Sequence, residues 1–226
     1  MPVSGETIEP LRDEELAALP VFPLPRVVFF PGSVLPLHLF EPRYRAMMED
    51  CVSVGPRAMA VVLLEPGGES DSEGRPPIHA IAGAGRILEW DRRPDGRFDL
   101  LLHGLSRVRL EELPSEGRPY RRARATPLFD RNPHPDAAER LLTDVLGAAS
   151  SVAAIVRQKH PRFELGADPR MPPGFIADRI ADRLVADPAR RQALLEQPDV
   201  KVRLALLHDA LLDMLATIRP PSGRLH

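Results

Sequence analysis

Residues Leu19 to Arg45 read LPVFPLPRVVFFPGSVLPLHLFEPRYR. The pairs Pro31-Gly32 and the single Pro36 limit strand pairing and set turns, because proline brings no ladder donor. Pro42 suits the first turn of a short helix over Pro42 to Cys51, where it removes a donor that would have no partner. On that helix Tyr44, Met47, Met48 and Cys51 fall on one side at spacings of three and four. Glu41 and Arg43 lie close enough in sequence to pair with each other, and Tyr44 is expected to pack inward. The residues of this stretch therefore read first as determinants of the fold.

Downstream the pattern is that of strands. Ala58 to Leu64 (AMAVVLL) is an apolar run of the length of a buried strand. Pro66 to Pro77 (PGGESDSEGRPP) is polar, small and rich in breakers, hence a loop. Ile78 to Trp90 and Arg97 to Leu113 flank Pro94-Asp95-Gly96, a turn in which proline presets φ and glycine accepts a positive φ. Arg107 to Leu110 alternates polar and apolar like a half-buried strand, and Tyr120 to Phe129 reads as another. Several short strands, frequent turns and one inserted helix predict a small β-barrel.

At Arg131-Asn132-Pro133-His134-Pro135 two prolines mark a boundary. Nine of the eleven aromatic residues precede it, so the composition changes as well. Beyond it the period is helical. Leu141, Leu142, Val145, Leu146, Ala149, Val152, Ala153 and Val156 form one stripe; Phe175, Ile176, Ile180, Leu184 and Val185 form a second. Asp187-Pro188 predicts an N-cap and first-position proline for a helix over Ala189 to Glu196. A last helix is expected over Val200 to Thr217. Such broad apolar faces predict a helical bundle. The fold class expected is α+β, a small barrel followed by a bundle.

The 226 residues carry 30 basic and 32 acidic side chains, a net charge of -2. Through Arg131 there are 17 arginines against 20 acids; beyond it 13 basic residues face 12 acids. Neither half is polybasic, which argues against DNA binding. Cys51 is the single cysteine. It excludes an intrachain disulfide and a multi-cysteine zinc site and fits a reducing cytoplasm. No apolar run reaches the ~18 residues of a membrane span, and the acidic N-terminus has no signal-peptide pattern. No P-loop is present: Lys159 is followed by His160 and Lys201 by Val202, where phosphate binding needs Ser or Thr. Gly83-Ala84-Gly85 lacks the third glycine of a dinucleotide loop. The seven histidines show no ligand spacing, and the pairs Glu14-Glu15, Glu49-Asp50 and Glu111-Glu112 diverge on either a helix or a strand. Cys51 reads as a small apolar residue on a helix face. The expectation is no enzyme, no cofactor and no metal.

The opening stretch closely resembles the start of the Lon protease N-terminal, substrate-binding domain family, through Pro23-Leu24, Pro31-Gly32, Pro36-Leu37, Phe40-Glu41 and Pro42-Arg43-Tyr44-Arg45. The resemblance continues at Gly85-Arg86-Ile87 and Gly104-Leu105-Ser106-Arg107-Val108, and at Arg191 to Glu196 with Asp199 and Arg203-Leu204. It covers about residues 19 to 218 and is to a stand-alone form without ATPase or peptidase domains. It implies a PUA-like barrel over 19–130, a bundle over 136–218 and an N-terminal extension over 1–18. The implied function is a non-catalytic module that binds exposed apolar segments of client proteins, with a separate protease as a further partner, in the cytoplasm and away from membranes. Phe29, Phe30, Met47 and Met48 are the candidate client contacts, because large aromatics and adaptable methionines suit promiscuous binding; core packing is the competing fate of each. One alternative is an RNA-binding protein of PUA-like fold using Arg118, Tyr120, Arg121, Arg122 and Arg124, where arginine would hold phosphate and tyrosine would stack on a base. Against it, Glu111, Glu112 and Glu116 dilute the charge. Another is a small-molecule sensor with a pocket at the barrel–bundle junction.

Overall fold

A computed structural model describes residues 9–53, 55–71 and 74–218. The opening stretch supplies two strands, β1 (Leu19–Leu24) and β2 (Val34–Leu39), followed by helix α2 (Pro42–Ser53); a single turn, α1 (Asp13–Leu16), precedes them. Four further strands follow: β3 (Ala58–Leu63), β4 (Ile81–Arg92), β5 (Phe98–Glu112) and β6 (Arg121–Leu128). The sheet order is β2-β5-β4-β3-β1-β6, and pairing of β5 with β6 closes the ring. Strand β5 is long enough to serve two neighbours. Its first half, Phe98 to His103, pairs with β2, and its second half, Arg107 to Glu112, pairs with β6. The turn at Pro94-Asp95-Gly96 forms as expected, with Gly96 at φ +80 and its N–H donating to the Arg93 carbonyl at 2.9 Å.

The chain between β1 and β2 crosses the outer face of β4 and β5, and this crossing decides the fate of two candidate contacts. Phe29 and Phe30 are fully buried. Their backbone lies so close to β4 and β5 that side chains there must vanish. A Cβ on Gly83 would lie 2.7 Å from the Phe29 carbonyl carbon, and one on Gly85 would lie 2.8 Å from the Phe29 ring. Gly104 meets the Phe30 carbonyl in the same way. The Gly83-Ala84-Gly85 stretch is thus a packing slot. Phe29 packs with Phe22, Leu39, Tyr44 and Met59 beneath α2, whereas Val28 and Phe30 join the core of the bundle; the inside of the ring is filled by Val21, Ala60, Ala84, Val108 and Ala123.

Helix α2 covers this outer core with the face read from the sequence: Tyr44, Met47, Met48 and Cys51 are buried. Glu41 and Arg43 pair at 2.7 Å. At the N-terminus, Arg86 of β4 grips both carboxylate oxygens of Glu15, at 3.0 and 2.9 Å, and the Pro10 carbonyl at 3.1 Å. Burial penalises the Glu15 carboxylate, yet the hydrogen bonds from Arg86 and Arg12 outweigh it and hold the group below its ordinary range.

The second half forms α3 (Pro135–Lys159), α4 (Pro173–Leu184), α5 (Pro188–Glu196) and α6 (Val200–Ile218). Proline opens α3, α4 and α5 at the first position, where its missing N–H costs nothing. Asp187 caps α5 by accepting from the Arg190 N–H at 3.1 Å. Val145, Ala149, Ile176, Ile180, Leu204 and Leu207 make the bundle core, and Leu63 and Ile81 extend it onto the outer wall of the barrel. The exit from β6 is fastened too: the Val200 N–H donates to the Arg131 carbonyl at 2.9 Å, and the Arg131 N–H to the Pro198 carbonyl at 2.8 Å.

Candidate binding groove

The groove arises where the barrel wall opens. β1 is paired with β6 only over Leu19 to Val21, while its far end runs on beside β3 alone. β2 pairs only with β5, so its outer edge has no strand. The ends of both strands and the residue after each, Phe22 to Pro25 and Leu37 to Phe40, line a groove of about 340 Å³, together with Tyr44, Leu64, Pro76 and Pro119. Pro36 sits within β2, as proline does on an edge strand. The floor is apolar and ordered. Phe22 meets Tyr44 edge-on at 4.5 Å, and the Arg43 guanidinium lies 4.7 Å above the Tyr44 ring. Phe40 stands at the rim, 59% exposed and stacked on His38.

The arginines around this groove are neutralised in place. Arg43 pairs with Glu41, Arg75 with Asp71 at 2.8 Å, and Arg121 with Glu112 at 3.1 Å. Burial pushes the Tyr44 hydroxyl above its usual pKa. The Tyr120 hydroxyl is pushed up further, by burial first and then by Asp50, to which it donates a hydrogen bond. These groups can orient a ligand but carry no charge of their own at neutral pH.

The structure corrects the site residues expected from sequence. Phe29, Phe30, Met47 and Met48 are not surface contacts: all four are buried, and a client could reach them only if α2 or the β1–β2 connection moved away. The arginines of the other candidate set have carboxylates beside them. Arg118 lies 3.4 Å from Glu116 and 3.9 Å from Asp50; Arg122 pairs with Glu116; Arg124 lies 3.9 Å from Glu111. Arg121 is only 5% exposed, and the Tyr120 ring is buried and so closed to base stacking. The acidic pairs thus serve arginines rather than each other. Cys51 is buried and its thiol is pushed up to about 12, by burial first and then by the Asp50 charge, which leaves it protonated and inert. Phe40, Leu37 and Phe22, which line the groove, were not singled out. All lie in the quoted stretch; Pro36 hints at an edge strand, but no local signal brings β2 beside the far end of β1.

At the junction of barrel and bundle, Arg107 of β5 holds Asp178 of α4 at 2.8 and 2.7 Å, and also Asp130 and the Leu195 carbonyl. Arg203 of α6 holds Asp130 at 2.6 Å. Burial pushes the Asp178 carboxyl up to about 6 against the opposing pull of Arg203 and Arg107. A cleft of about 480 Å³ adjoins this cluster, with Phe129 and Phe175 on its walls. The two arginines and two aspartates of the cluster pair with one another, although the Arg203 Nε, 3.5 Å from Asp178, makes no hydrogen bond. Among the described residues no helix is long and apolar enough to cross a membrane.

The model of the ATP-dependent protease La (LON) substrate-binding domain matches residues 18–213. The chain belongs to the Lon substrate-binding domain family. The Lon protease of Methylocella silvestris is 27% identical over 218 residues, which are 96% of this chain and 26% of that protein. Lon protease 2 of Myxococcus xanthus is 28% identical over 198 residues, 85% of this chain and 23% of that protein. The chain therefore spans about a quarter of the length of the curated relatives it matches. Among solved structures, a Lon N-terminal domain protein from Xanthomonas campestris superposes with a TM-score of 0.56 at 22% identity, over 90% of this chain and 99% of that one. The N-terminal domain of Mycobacterium avium complex Lon protease gives 0.63 at 17% identity, over 87% and 98%. These likenesses establish the fold, so this Lon-type chain is an α+β protein with a β-barrel followed by a helical bundle, as in Lon N-terminal domains.

Proposed function

We propose that this Lon-type chain is a non-catalytic polypeptide-binding module that takes exposed apolar segments of client proteins into the groove between β1 and β2 and presents them to a separate protease. The observation that carries the reading is the groove itself. It combines an apolar floor, a largely exposed Phe40 and an unpaired strand edge in a member of a family described by substrate binding. A strand edge supplies hydrogen bonds to any extended backbone, and apolar walls select side chains by volume rather than identity. That suits recognition of many unfolded clients. Affinity is expected to be weak, because a disordered client loses conformational entropy on docking. The name Lon protease borne by the relatives favours a role beside proteolysis. RNA binding is the weaker reading, since the arginines it would need are held by carboxylates.

The test is a titration of labelled unfolded protein and of labelled structured RNA, each at low and moderate salt, with wild type and Phe40→Ser. Phe40 is exposed, so its loss should change folding stability by no more than about 0.5 kcal/mol. Client affinity should fall about tenfold, as for loss of an aromatic anchor. Binding of an uncharged apolar client should change little with salt. Tight, salt-sensitive RNA binding with no polypeptide binding would refute the reading.

A further inference from the structure

Strand β2 separates two grooves, and Leu37 and His38 line both. On one side lies the apolar groove. On the other, a shallow trough of about 450 Å³ runs over β2, β5 and β4, past Pro36, Trp90 and Leu101. Trp90 is 43% exposed. The two grooves differ in charge. The first has each lining arginine paired with a carboxylate. The trough is lined by Glu89, Asp91 and Asp99. Asp99 is held by His38 at 2.6 Å and by Arg93 at 2.5 Å. Glu89 and Asp91 are exposed and have no ion-pair partner among the described residues. The cations beside them are already taken, Arg92 by Glu49 and Arg97 by Asp95.

We propose that one extended client segment crosses β2, seating apolar side chains in the first groove and a lysine or arginine over Glu89 and Asp91 in the second. This rests on the reading of the first groove as the client site and adds the chemistry of the flanking residues. A strand and its side chains span roughly 10 Å, so at about 3.3 Å per residue the basic residue follows the apolar anchor by about three positions. The trough's own apolar wall, Pro36 and Leu101, which pair on the same face as Glu89 and Asp91, accommodates the aliphatic stem of that residue while its charge meets the carboxylates. A flanking Asp or Glu would face two unpaired carboxylates and is selected against. The module therefore discriminates among apolar segments by the sign of the charge beside them.

The experiment uses three labelled peptides that share one apolar stretch and carry Lys-Lys, Ser-Ser or Glu-Glu three residues after it. Each is titrated by fluorescence anisotropy against the full chain and against the Glu89→Gln/Asp91→Asn double variant. Both positions are exposed, and circular dichroism confirms that the variant is folded. The expected order of affinity is Lys-Lys, Ser-Ser, Glu-Glu. About a tenfold span between the ends is expected at low salt, narrowing as salt rises and vanishing in the variant, as for two exposed ion pairs. Equal binding of all three peptides to wild type would overturn this proposal and leave the apolar groove standing. An order that the double variant leaves unchanged would likewise overturn the placement at Glu89 and Asp91. Failure of every peptide to bind would overturn both readings.

Discussion

Replacing Gly83 by alanine tests the crossing of Phe29 and Phe30 over β4 and β5. The added Cβ would overlap the Phe29 carbonyl oxygen and stand 2.7 Å from its carbonyl carbon and 3.0 Å from the Phe29 Cβ. Carbon atoms in contact prefer about 3.5–4.0 Å, so the overlap approaches about 1 Å. Neither side can yield easily. Gly83 is fixed between Val61 on β3 and Arg107 on β5, and Phe29 is locked in the core. Overpacking costs about 1–3 kcal/mol, and a clash of backbone with backbone belongs at the upper end. At about 3 kcal/mol the urea midpoint should fall by about 1 M, and Tm by about 6–12 °C for a chain of this size. Gly147→Ala is the control. It lies in α3 with nothing within 4 Å of a new Cβ, so it should gain about 1 kcal/mol from helix propensity. Urea unfolding followed by circular dichroism measures both. A Gly83→Ala protein as stable as wild type would refute the crossing and, with it, the burial of Phe29 and Phe30.

Asp178 makes a prediction with a definite sign. Its folded pKa, about 6, lies above the ordinary 3.8, so the native state takes up this proton first. The cost of holding the charge is present above about pH 7 and is relieved as pH falls through 6 towards 4. Urea midpoints across that range should show wild type gaining on Asp178→Asn as pH falls; a constant difference would contradict the shift. Limited proteolysis should cut first between Pro66 and Pro77, which carries no helix or strand among its described residues. The fragments should co-elute, because β3 and β4 pair across the cut; a first cut at 131–135 that frees two folded halves would oppose the fastening of Arg131 to α6. Purified protein should turn over neither ATP nor casein above a mock preparation, since a thiol held at about 12 offers no nucleophile and no P-loop is present.

Local signals were legible in the sequence and long-range ones were not. The α2 face of Tyr44, Met47, Met48 and Cys51 follows from helical spacing alone, and all four are buried as that spacing implies. The Asp187-Pro188 cap and the Gly96 turn depend on neighbours in the chain, and both form. Phe29 and Phe30 belong to no periodic element. Their burial depends on glycines more than fifty residues away, a match that no local window contains. The arginines near Tyr120 read as a basic cluster because their partners are not all adjacent: Asp50 approaches from α2. The groove escaped for the same reason. Phe40 sits in plain view in the sequence, but its exposure follows from the ends of strand pairing on β1 and β2.

The most direct test of client binding at the β1–β2 groove is methyl-resolved NMR of the full chain, titrated with an unfolded apolar polypeptide. The account predicts shift changes at Leu24, Leu37, Leu39 and Leu64, which line the groove, and none at Val145, Ile180 or Leu207 in the bundle core. Changes confined to the junction cleft around Leu105 and Leu128, or no change at saturating client, would contradict it.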